Sequence, residues 1–491
     1  MRKNVLIIGG GLGGLAAACR LSARGFKVNL LEKNSIIGGK TAHYKVGDFL
    51  FQPVPCMITD IEPLVNLFRD VGRDIENYFR VTKLEPFYKV FFEDGRQGVY
   101  LNGDNSIPLL KMDNGDRVIL TGDLYRGRQD STINYVPQTG TYRRLVGKVR
   151  ETLSRLTSFI STSSFTSIEQ KLFTDLNDPF LSSAILAPLV FLGCDPGRIS
   201  MRYAELNRLL FPKVMVYPLG SFHSVIAGLT DLLVELGGTI QYQAEVERIL
   251  INRNKAAGVR LIDGRMIYAD YVISDANRSY TQETLLKETL PHFPRAKSTK
   301  NIPSGPSVFI LCFGMKSQYN DMKLCHHNFF ISRGFSEMVR DVFNRNVFST
   351  ELFFYLQQPT LTDSSLAPMG GSVFQVIVPV PNLSANVDWV MMLSVYREQI
   401  IKLIEDTVIP NFRRDIAIEI SFTPDDLAKQ FSLPAGSVFR HHPNWFERMG
   451  NLPRVRTGIP NLFLVGDGSA PGWGINSVLE AARIADGLIP A

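Results

Sequence analysis

The sequence predicts an α/β protein: a discontinuous Rossmann-like domain that binds a dinucleotide, with an inserted α+β domain carrying a mixed sheet and helices. Three observations support this. A short apolar strand runs straight into a glycine turn and a helix near the N-terminus. A second strand ends in an acidic residue about twenty positions later. Near the C-terminus a strand, a glycine turn and a helix recur.

Val5-Leu6-Ile7-Ile8 is uniformly apolar, the pattern of a parallel strand covered on both faces. Gly9-Gly10-Gly11-Leu12-Gly13-Gly14 follows and satisfies GxGxxG at Gly9, Gly11 and Gly14, and Leu15–Leu21 has Ala-rich helical character. The first glycine permits the turn, the second lets backbone approach a pyrophosphate, and the third lets helix and strand pack closely. Unpaired amides at the helix start, with Leu12 and Gly13 in the turn, offer donors to that anion. Val28–Leu31 is the second strand, and Glu32 with its neighbour Lys33 stands at its end. A carboxylate there accepts from a ribose 2′-hydroxyl and repels a 2′-phosphate. Gly38-Gly39-Lys40 adds a glycine pair and a cation, and the combination favours FAD over NAD. Lys40 supplies a point charge, not the bidentate fork of an arginine.

Length and composition agree with this reading. The 491 residues allow two or three domains, and 45% hydrophobic with 20% charged residues excludes a disordered chain. The net charge of +6 has no accompanying Lys/Arg run, which argues against a nucleic-acid partner and is compatible with loose attraction to an anionic membrane surface. Cys19, Cys56, Cys194, Cys312 and Cys325 are scattered and odd in number, so neither a zinc site nor a disulfide framework is expected, and a reducing compartment fits best. The opening stretch mimics a secretory signal, yet its glycines stand at fixed mechanical positions and helical pattern continues past them. The longest apolar run, Ala184–Gly193, contains Pro188 and is shorter than the ~20 residues a spanning helix needs. The expected location is cytoplasmic, peripheral to a membrane.

With these residues and the C-terminal stretch together, the sequence resembles the flavin amine-oxidase superfamily, and within it carotenoid desaturases of the bacterial phytoene-desaturase type. The likeness runs nearly end to end. Phe51–Thr59 (FQPVPCMIT) is similar to that family's FDAGPTVIT, which passes beside the isoalloxazine; Pro55, Ile58 and Thr59 match, whereas Gln52, Val54 and Cys56 depart. Val216–Ser221 (VYPLGS) resembles FYPRGG, and Leu236-Gly237-Gly238 leads to Val246, the strand valine that in the family faces adenine. Leu366–Gly370, Val378–Leu383 and Asp388-Trp389 resemble segments of desaturases more than of amine oxidases.

Pro460–Gly468 (PNLFLVGDG) reads as a strand ending in a glycine turn, and Gly472–Asn476 opens the last helix, Ser477–Leu488. The resemblance implies that Asp467 holds the ribityl chain and that the helix start, with Gly474 and Ile475, points at the flavin edge. A helix dipole there stabilises an anionic reduced flavin. Relative to the family's HPGAGIPGV, Ala470, Trp473, Asn476 and Ser477 depart, which leaves the substrate in question rather than the flavin. FAD is expected to be non-covalent, because no cysteine follows Cys325.

The FAD-binding domain is expected from residues 1–105, 214–300 and 431–491, and the substrate and membrane-facing domain from 106–213 and 301–430. Ser307–Gly314 and Phe374–Pro379 read as strands of a mixed sheet flooring a cavity. Phe159, Phe165, Phe173, Phe180, Phe191 and Phe211 read mainly as core. The expected chamber wall is Pro55, Cys56, Trp473, Gly474, Ile475 and Asn476, with Pro55 and Cys56 also beside the cofactor; none is assigned as acid or base. No metal site is expected: His326 and His327 are adjacent, and no further ligand stands at coordinating spacing. His441 and His442 read as surface or interdomain residues, and Asp275 and Asn277 either as turn residues or as adenine-side positioners.

The resemblance implies desaturation of a long apolar acyclic carotenoid or isoprenoid, such as phytoene or diapophytoene, by hydride transfer to flavin N5. Quinone or oxygen is the expected acceptor, since no second complete GxGxxG offers a nicotinamide site. Isomerisation, saturation or terminal oxidation of a carotenoid on the same scaffold is the alternative. A non-enzymatic prenyl-escort role is disfavoured by the intact Gly9, Gly11, Gly14, Glu32, Gly466 and Asp467.

Overall fold

The computed structural model describes residues 2–54, 57–102, 108–115, 117–122, 131–136, 167–199, 214–287, 304–320, 323–439, 455–466, 469 and 474–490. Pro55, Cys56, Asp467 and Trp473, and with them Phe159, Phe165, Phe211, His441 and His442, lie outside these residues.

Asn4–Ile8 is the middle strand of a five-stranded parallel sheet in the order Thr239–Gln241, Lys27–Leu31, Asn4–Ile8, Tyr271–Ser274, Leu462–Leu464. Its side chains divide between two cores with the period of a strand. Val5 and Ile7 join the helices Leu12–Ala23, Ser221–Glu235 and Gly474–Leu488 on one face. Leu6 and Ile8 join the antiparallel sheet Val246–Asn252, Lys255–Leu261, Met266–Tyr268 on the other. Double coverage is why the sequence there is apolar without interruption. The order of strands also brings residues from the start, middle and end of the chain to one edge, the carboxyl edge where a ligand binds in such sheets.

The second sheet has ten strands. Ser307–Met315 and Ser372–Val380 are neighbours near one end of it, and all nine residues of each are buried. Phe309, Leu311, Phe313 and Met315 face the helix Trp389–Thr407, whose Ile400, Ile401 and Ile404 close that core. Val308, Ile310 and Cys312 face the opposite way, toward the helix Pro179–Phe191. That helix is the long apolar run of the sequence, apolar all round because it is enclosed. Among the described residues no helix is long and apolar enough to cross a membrane.

One expected boundary differs. Tyr88–Phe92 and Gln97–Asn102 fall within the 1–105 stretch assigned to the FAD-binding domain, yet both pair in the ten-stranded sheet, Tyr88–Phe92 running parallel to His327–Ile331. Strand partnership is non-local, so nothing in the residues themselves marked the change.

His326 and His327 are both buried in this second unit. His326 Nδ1 lies 2.7 Å from Thr362 Oγ1 and its Nε2 lies 2.8 Å from Gln357 Nε2. An amide nitrogen only donates, so Nε2 accepts and Nδ1 carries the hydrogen of a neutral ring. His327 Nδ1 meets the Tyr355 hydroxyl. Among the described residues no group of three or more His, Cys, Asp or Glu is arranged to hold a metal ion.

Burial holds both imidazoles below the ordinary histidine value, that of His327 at about 3, and His326 is lowered further by its neighbour His327. The fold therefore keeps them neutral, while the unfolded chain protonates as pH falls through about 6.5. Each imidazole should cost up to about 2 kcal/mol of stability between about pH 6.5 and about pH 5. Urea unfolding at both ends of that range should show a shallower loss for His327→Gln than for the unsubstituted chain; equal losses would refute the account.

Candidate functional site

The first strand leaves the sheet through Gly9, whose φ of +95° suits glycine. Gly11 then caps the helix Leu12–Ala23 in extended conformation, with no side chain satisfying the helix's first amides. Those amides have no acceptor within the helix, and the macrodipole adds positive potential. The result is a preformed anion cradle.

Each glycine is held by a close approach. A Cβ on Gly14 would stand 2.2 Å from the Gly9 carbonyl oxygen, fixing helix against strand. One on Gly11 would stand 2.5 Å from Asp275 Oδ2, and one on Gly13 2.5 Å from the Val465 carbonyl oxygen. Gly466 has the same constraint from the other side, 2.4 Å from the Asp275 carbonyl oxygen. N-terminal turn, middle turn and C-terminal strand thus interlock at one point.

Glu32 is almost wholly buried, with its two oxygens accepting from the Gly10 amide at 2.8 Å and the Asn34 amide at 2.9 Å. This orients the carboxylate while leaving lone pairs toward the cavity it lines. Lys33 donates from Nζ to Ser432 Oγ at 2.7 Å and to the Lys429 carbonyl at 3.2 Å, so it ties the end of the helix Pro424–Phe431 over the cavity. Partial burial lowers its ammonium below the ordinary lysine value, against the opposing charges of Glu245 and Glu32. Gly38 donates to the Gly10 carbonyl at 2.9 Å, and Thr41 Oγ1 donates to the Gly38 carbonyl at 2.8 Å. That turn carries Lys40 to the cavity wall.

The cavity, of ≈ 340 Å³, lies between the two sheets. Of the residues picked out from sequence, Gly9, Gly11, Leu12, Gly13, Glu32, Lys33, Gly38, Gly39, Lys40, Val246, Gly474 and Ile475 line it together. Gly14 and Gly466 stand behind the lining, where they let the backbones meet. Asn476 is half-buried in the last helix and does not line the cavity.

The opposite wall was picked out only in part. Val54, Met57, Phe191, Leu192, Val308, Ile377, Val438 and Phe439 line it, all apolar and drawn from distant segments. Val54 and Met57 lie within the Phe51–Thr59 segment already singled out, and Val308 and Ile377 on the strands expected to floor a cavity; the others read equally well as core. Every charged lining residue, Glu32, Lys33, Lys40, Glu245 and Asp275, belongs to segments around the parallel sheet.

A helix start whose cap residue has no side chain, and a lysine, offer donors to a pyrophosphate, a fixed carboxylate at the next strand end offers an acceptor to a ribose hydroxyl, and the apolar wall suits a flat ring and an apolar reactant. The site is therefore that of a dinucleotide-binding flavoprotein. The chain belongs to the flavin-containing amine oxidoreductase family, whose model matches residues 12–356. It is 30% identical to a lycopene-forming phytoene desaturase of Pseudescherichia vulneris over 494 residues, covering 99% of this chain and 99% of that one. It is 26% identical to a 4,4'-diapophytoene desaturase of Methylomonas sp, covering 99% of this chain and 95% of the relative. A crystal structure of an oxidoreductase from Methanosarcina mazei shares the fold, with a TM-score of 0.61 at 17% identity over 98% of this chain and 99% of that one.

Gly13→Ala should cut bound flavin at least about tenfold, since its methyl meets a backbone carbonyl that cannot move without displacing the Gly466 strand. Gly487→Ala, which meets nothing within 4 Å, should retain it. Flavin absorbance per protein in the purified variants checks this, and comparable occupancy in both would contradict the interlock.

Proposed function

We propose that the chain is an FAD-dependent desaturase of a long apolar acyclic carotenoid or isoprenoid. The observation that carries the reading is the division of the cavity: charges on the dinucleotide side, and on the other side a wall without an ionisable group among the described residues. The near full-length likeness to carotenoid desaturases supports the same substrate class.

In this reading the amides of Leu12 and Gly13, with Lys40, hold the pyrophosphate, Glu32 accepts from a ribose hydroxyl, and Val246 packs on the adenine. Gly474 and Ile475 approach the ring, with Asp467 on the ribityl chain. Bound FAD supplies a two-electron acceptor for hydride. The chain's own residues bind, orient and exclude water. Phe191, Leu192, Val308 and Ile377 offer no hydrogen bonds, so a polyene is held by apolar contact alone, and its alignment supplies much of the acceleration. Pro55, Cys56 and Trp473 complete the proposed chamber.

A quinone or oxygen accepts the electrons, and the protein works at a membrane surface, where such substrates partition. The net charge of +6 supports that attraction.

Purified holoprotein incubated with phytoene, diapophytoene and a cis-lycopene, with a quinone present, should give products whose absorbance moves to longer wavelength as conjugation lengthens. Products that are only geometric isomers, or absorbance moving to shorter wavelength, would replace this reading with isomerisation or saturation. Oxygenated products of unchanged conjugation would indicate terminal oxidation. A preparation that binds no flavin would favour an escort role.

A further inference from the structure

The turn after the fourth strand of the parallel sheet carries Asp275 into the centre of the interlock. Its Oδ2 lies at the edge of Gly11 and Gly14, 2.5 Å and 3.1 Å from where their Cβ atoms would stand. Its Oδ1 stands 2.6 Å from the corresponding point on Gly13, where the Val465 carbonyl oxygen also converges. The nearby Gly14 and Gly11 amides favour its charged form. It thus stands against the start of the Leu12–Ala23 helix, at the wall of the cavity that Asp275 itself lines.

Two anions are then asked to share one helix start. A pyrophosphate brought to this cradle comes close to the Asp275 carboxyl, and like charges at such separation disfavour ionisation of the weaker acid. Each packed element contributes differently. The Lys27–Leu31 strand presents Glu32 at its end, a further negative charge; the Gly39–Thr41 turn presents Lys40, a positive one. Among the described residues, the end of the last strand brings the Val465 carbonyl oxygen to this point, and the last helix a Val478 methyl group.

We propose that Asp275 is a proton-linked latch for the cofactor: it secures the glycine turn in its neutral form, and the chain takes up a proton at this carboxyl as FAD binds. The proton comes from solvent to a carboxylate oxygen. The unloaded protein is already poised for it, because desolvation, with the Glu32 charge, pushes the carboxyl up to about 8 despite the Gly14 and Gly11 amides and Lys40. Occupancy of the cavity removes the one side open to water and adds the diphosphate charge, so the bound form holds the proton more tightly still. The sign follows: FAD affinity is full below the unloaded value and falls as pH rises through it.

This inference rests on reading the cavity as the FAD site, and the test separates the two. Apoprotein titrated with FAD, followed by quenching of flavin fluorescence, should bind about tenfold more weakly at about pH 9 than at about pH 7. Asp275→Asn keeps size and an acceptor oxygen while removing the charge, so its affinity should change less than about twofold over that range and at about pH 9 should exceed that of the unsubstituted chain. Should D275N not fold, calorimetry on the unsubstituted protein in two buffers of different ionisation enthalpy decides alone: about half a proton should be taken up per FAD at about pH 8. FAD binding with no pH dependence and no proton uptake overturns the latch and leaves the site standing. No FAD binding at any pH overturns both.

Discussion

The structure depends on three segments of the chain meeting around the Asp275 carboxyl, with no room for side chains on the glycines there. Gly11, Gly13 and Gly14 from the N-terminal turn, the Asp275 turn from the middle of the chain and Val465-Gly466 near its end all approach within distances that no Cβ tolerates. This contact joins parts of the chain more than 400 residues apart, as the numbering shows. It also aims the first helix's uncapped amides into the space between the sheets. Loss of one glycine therefore disturbs a cradle built from three places, whereas loss of one core methyl group would be absorbed by its own sheet.

What the sequence revealed follows from how local the physics is. The Gly9–Gly14 turn, the Glu32 position and the Gly38-Gly39-Lys40 turn are constraints that a few consecutive residues impose on themselves, and the cavity gathers them as expected. Ser307–Met315 and Ser372–Val380 were legible as strands for the same reason, since both are long β-branched and apolar runs. The placing of Tyr88–Phe92 beside His327–Ile331 was not, because an apolar strand carries no label for its partner. The apolar wall was legible only in part. Val308 and Ile377 sit on the strands expected to floor a cavity, whereas Phe191 and Leu192 have the same local character as dozens of core residues, and only the gap between two sheets distinguishes them.

Asp275 lies between these cases. Its turn was visible, and two roles were open for it, structural or beside the cofactor. The structure shows why the choice is not exclusive: the carboxyl packed against the glycine turn stands beside the amides that begin the anion site. A residue can be structural in the unloaded chain and electrostatic in the loaded one.

The two walls of the cavity make opposite demands. On the dinucleotide side, charges must be fixed before the ligand arrives, and Glu32 is accordingly buried and gripped by two amides. On the other side a polyene offers nothing to grip, so any buried polar group there would be left unpaired unless the protein satisfied it internally. His326, buried outside the cavity lining, shows such internal pairing, with Gln357 and Thr362, and is held neutral. The same absence of handles means that position along an apolar substrate is set by where the walls end, not by a recognised group. Position along such a substrate then becomes a property of shape rather than of charge.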